Sequence, residues 1–127
     1  MLLRIAAVLA AFTAVLHIFV GTFDTLMPML TMDLPAPVLG TLHACWHMVS
    51  LFLVVSAWAF WRGGAMARPV AWLWMGSAAI FVAVGVWQDG LVGLLELPQW
   101  TLLGASGGLS LYATRARPRF AKTDQSA

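Results

Sequence analysis

Charge is what this sequence has least of. Seven basic and five acidic residues make up 9% of its 127 positions, against about 25% in a soluble globular domain. So few charges cannot clothe a chain that is 61% hydrophobic with a mean hydropathy of +0.87. A water-soluble fold is excluded on that ground, and no nucleic-acid partner is expected. Cysteine is nearly absent too. Cys45 stands alone, which excludes an internal disulfide and any multi-cysteine metal cluster within one chain.

What the chain does have is long apolar runs. At about 20 residues per crossing, its length admits four spans joined by short turns. They are expected at about 2–26, 38–61, 70–89 and 98–113, folded as an all-α, antiparallel four-helix transmembrane bundle over residues 1–114. A basic tail follows at 115–127. The start, with Arg4 ahead of an alanine-rich run, could pass for a signal peptide. The run is too long for a signal core, however, and no small-x-small cleavage site follows it, so it reads as a retained helix.

Pro28 is expected to end the first span, because proline cannot continue the backbone ladder. The segment 29–38, with Pro35 and Pro37, reads as a loop. Arg62 to Pro69 makes a short basic turn, with Pro69 suited to the first turn of the next helix. Leu91–Leu97, interrupted by Gly93 and Glu96, either prolongs the third helix or lies along the interface. In the last span, Gly104 and Gly108 give a Gly-x-x-x-Gly spacing that permits close helix contact. Trp61, Trp72, Trp74, Trp87 and Trp100 fall near span ends and read as interface anchors.

The basic residues set the orientation. Arg4, Arg62, Arg68, Arg115, Arg117, Arg119 and Lys122 all fall on one side of a four-span arrangement. The positive-inside rule then makes both termini cytoplasmic, in a bacterial-type inner membrane.

The polar residues left in the spans point to a site. His43 and His47 are four apart, so they share one helix face, and Gly40 and Ser50 continue that stripe. On the first span, Thr13, His17, Gly21 and Asp24 form a similar stripe at α-helical spacing. Under the expected topology His17, Asp24, His43, His47, Gln88, Asp89 and Glu96 all lie in the outer, periplasmic half. Ionisable side chains inside a membrane are costly and usually face the protein interior. Imidazoles with a carboxylate suit zinc, iron or copper, so the expected metal ligands are His17, His43, His47, Asp24 and Asp89. The zinc-protease motif is excluded because no glutamate follows His43.

Two further ligand readings accompany this one. A b-type haem could take His17 from one helix and His47, or alternatively His43, from another. Cys45 and Met48, with Met27, Met29 and Met32, would be soft ligands for copper. A non-ligand reading stands beside all of these: histidines can hydrogen-bond across helices and only fix packing, as in an accessory subunit. The expected partners are the lipid bilayer and either further copies of the chain or a larger membrane complex. The expected role is redox chemistry or metal handling.

Overall fold

The computed structural model describes residues 1–115, and all its regular elements are helices. Three are long and apolar enough to cross a membrane: α1 (Leu2–Leu30), α2 (Ala36–Arg62) and α3 (Ala67–Asp89). A single helical turn, α4 (Gly93–Glu96), leads into α5 (Gln99–Arg115). The expected tail residues Arg117, Arg119 and Lys122 lie outside the described residues.

Local chemistry accounts for most boundaries. Extended Pro35 (ψ 134°) caps α2, and its carbonyl accepts the Val38 and Leu39 amides. The helix therefore starts two residues earlier than expected, with Pro37 in a first turn that needs no amide. Gly63 (φ 68°) and Gly90 (φ 55°) end α2 and α3 in conformations open to glycine. The Pro98 carbonyl accepts both the amide and the hydroxyl of Thr101, which opens α5.

Pro28 does not end the first helix. The chain winds into wider, π-helical turns at Leu16–Val20 and Thr22–Leu26, then returns to α geometry through Pro28 to Leu30. An α-helical proline ring would strike the carbonyl four residues back. Here the preceding turn is opened, with the Met27 amide bonded five residues back to Thr22, so the ring is accommodated and the helix continues.

Neighbouring helices run antiparallel. Arg4 lies 4.0 Å over the Trp61 ring, while His17 and Gly21 meet Trp46, so α1 descends α2. In spatial order the helices are α2, α1, α5 and α3, with α2 and α3 meeting more sparsely. α3 and α5 pack against each other most extensively. A Cβ on Gly107 would stand 3.1 Å from both the Ala71 carbonyl oxygen and the Trp74 Cβ. The close approach is made by Gly107 and not by the expected Gly-x-x-x-Gly pair: Gly108 turns to open space, and a Cβ on Gly104 would stand in ordinary contact, 3.9 Å from the Ala78 Cβ.

Of the two expectations for residues 91–97, prolonging α3 does not hold. These residues fold back as α4, where Gly85 and Gly93 let two backbones touch. The Trp100 indole clips this turn by donating to the Leu94 carbonyl at 3.0 Å.

Trp74 departs from the interface role expected of it. It is fully buried, against Phe60 (centroids 5.7 Å) and Phe52 (6.2 Å) of α2. The alanines at 67, 71 and 78 share its face of α3, and Gly107 opposes it. The small residues on its own helix and on α5 leave a volume beside Phe52 and Phe60 that a large ring fills.

Candidate functional site

Buried residues concentrate toward the arginine-bearing end, from Ala6 to Ala14, Leu53 to Phe60, Ala67 to Ala78 and Leu103 to Leu111. The end that carries the histidines is more open, with Leu26, Gly85 and Gly93 its buried positions. Polar side chains there have fewer protein neighbours.

His43 and His47 come together as the α-helical register of α2 requires. Their Nε2 atoms are 3.1 Å apart and their ring centroids 4.9 Å. With neutral rings, one Nε2–H donates and the other Nε2 accepts. His43 is half-buried and His47 exposed.

His17 goes elsewhere. Its ring stacks on Trp46 of α2 with centroids 4.1 Å apart and an interplanar angle of 21°, and its Nε2 lies 3.4 Å from the Trp46 carbonyl oxygen. Ser50 donates to the same carbonyl at 3.0 Å. Gly21 makes this possible, since a Cβ there would come within 2.9 Å of the indole. Trp46 thus separates α1 from α2 and occupies one face of His17. Sequence reasoning passed over it, although a glycine four residues beyond a histidine was the signal that a large ring could lie between them.

The carboxylates stay apart from the imidazoles. Asp24 is exposed and accepts a 3.0 Å hydrogen bond from Thr25. The seven-residue spacing from His17 aligns two side chains only in α geometry. In the wider π turns seven residues fall short of two full turns, so Asp24 is rotated away. Asp89 is exposed as the last residue of α3.

Cys45 lies two residues from both His43 and His47, so an α-helix places it on the opposite side. Met48, 68% exposed, is also turned well away from the pair. Neither soft ligand joins it. Among the described residues, no group of three or more His, Cys, Asp and Glu is placed to hold one metal ion. Of the five residues expected as ligands, His43 and His47 converge on each other and His17 lies against Trp46.

No protein family's model, no curated protein and no solved structure matches this chain. Among the described residues, fold and site define a helical protein with three helices long and apolar enough to cross a membrane and a convergent histidine pair.

Proposed function

We propose that the chain is a four-span inner-membrane protein, an antiparallel transmembrane bundle with both termini cytoplasmic, that binds a divalent transition metal through His43 and His47 near its periplasmic side. The observation that carries this reading is the 3.1 Å separation of the two Nε2 atoms. Two imidazole nitrogens, each about 2.0–2.1 Å from one zinc ion, stand about 3.3 Å apart at a tetrahedral angle. The pair is within a small side-chain adjustment of a chelate. Imidazole also suits copper and iron, and zinc is the simplest probe because it brings no redox change. His17 is a positioning residue in this reading. Stacked on Trp46, it holds the rotation of α2 about its axis and so the direction in which the pair faces.

The test is metal analysis after gentle purification, followed by zinc titration of the metal-free protein. Retained or rebound zinc at a fixed ratio to protein is expected. Failure to retain or rebind zinc, copper or iron would leave the pair as an imidazole–imidazole hydrogen bond.

Topology is tested separately. With a reporter fused after Ala127, and Asp33→Cys in a Cys45→Ser background, the reporter should be cytoplasmic and the new thiol should react with an impermeant label from outside. The physical cause is the confinement of Arg4, Arg62, Arg68 and Arg115 to one end of the helices. The reverse pattern would put the histidines on the cytoplasmic side.

A further inference from the structure

Gly40, His43, His47, Leu51, Val54 and Trp58 follow one another on α2 at three- and four-residue steps, so they form one continuous face. Apart from half-buried His43, every one of them is exposed. Of the three membrane-length helices, α2 is the least buried. For leucine, valine and tryptophan this is ordinary, since lipid is as apolar as they are. For the imidazoles it is not. With Ala36 at the membrane surface, as in the topology proposed above, His43 lies about 10 Å and His47 about 16 Å in along the helix at 1.5 Å per residue, which puts at least the second below headgroup level. A polar pair at that depth on an outward face has no water to turn to.

The pair is also chemically incomplete. Two imidazoles fill half of a tetrahedral zinc site, and no third His, Cys, Asp or Glu among the described residues stands with them.

From these two facts we infer that the metal is shared between two copies of the chain, each contributing His43 and His47 across a two-fold axis to make a four-histidine site. The inference rests on the metal reading above. Symmetry supports it. Two copies inserted the same way are related by an axis along the membrane normal, so equivalent residues meet at equal depth. The two converged Nε2 pairs would arrive at one level, with Gly40 of each α2 on the outer side and the faces from Leu51 to Trp58 packed along each other beneath. The lipid-facing polar pair thereby becomes interior, and the missing two ligands are supplied by the same residues repeated.

The experiment uses the full chain in a mild detergent, with zinc sulfate or a chelator, read by light scattering and metal analysis. With zinc, the protein should have the mass of two 13.7 kDa chains and hold one zinc per two chains. With chelator, or in His47→Ala, it should have the mass of one chain. A second measurement keeps the test independent of mass. In a Cys45→Ser background, Gly40→Cys places a thiol on the proposed interface at a position with open space around its Cβ. A short bifunctional thiol reagent should link two copies in zinc and far fewer in chelator. Native Cys45, on the opposite side of α2, should not link. One zinc per chain at single-chain mass would overturn the shared site and leave the metal reading intact. A dimer that survives both chelator and His47→Ala would show an interface that owes nothing to the metal, and would also overturn it. No zinc binding at all would sink both readings together.

Discussion

Replacing His47 with alanine is expected to weaken zinc binding at least about a hundredfold. Loss of an outer partner of a metal ligand already costs about 10–100-fold, and here one of two ligands from the chain itself is removed. A hundredfold corresponds to about 2.8 kcal/mol. His43→Ala should behave alike, because the two Nε2 atoms converge on one point. His47 is exposed, so its removal opens no cavity and the fold should be unaffected by circular dichroism. Three comparisons give the result its meaning. Asp24→Asn, Cys45→Ser and Met48→Leu should each leave zinc affinity within about threefold of wild type, since none of these side chains turns to the pair. His17→Ala should retain binding but weaken it modestly, through loss of the stack on Trp46. Equal affinities in His47→Ala, His43→Ala and wild type would remove the pair as the site.

Trp74→Ala should cause the largest loss of stability of any single truncation. The ring is fully buried between α2 and α5, against Phe52 and Phe60. Tryptophan or phenylalanine truncation in a core typically costs about 3–5 kcal/mol. Part of that figure is transfer from water, which does not drive helices together in lipid. What remains is lost dispersion and the cavity left among Ala67, Ala71, Ala78 and Gly107, so about 3 kcal/mol is the better expectation.

Trp74→Phe makes the sharper companion. It loses ring volume, but it also removes an indole N–H that has no acceptor among the described residues, a group whose burial costs about 1–3 kcal/mol. The two effects oppose, and a change within about 1 kcal/mol of wild type is expected. Unfolding in mixed micelles with rising denaturing detergent measures both. Trp74→Ala within 1 kcal/mol of wild type would mean that the tryptophan is filler and that the close approach of Gly107 to α3 carries the contact.

The amino-acid order by itself determined where the long helices run and which residues four apart on one α-helix meet. The apolar runs set which stretches are long enough to cross a membrane, and the structure keeps α1, α2 and α3 at those places. The four-residue step from His43 to His47 was enough to bring their rings together, because α-helical periodicity needs no neighbour. Tertiary structure decided the rest. Whether His17 meets the pair depends on what lies between α1 and α2, and a tryptophan seated on Gly21 takes that space. Asp24 fails to follow His17 because the helix changes its winding between them, a change that also carries the chain past Pro28. Trp74, one of several tryptophans near span ends in the sequence, is the buried one because alanines on its own helix and Gly107 on α5 leave room there. Periodicity tells which residues share a face. Only the fit of large side chains against small ones, on helices distant in sequence, selects the face that each helix turns inward.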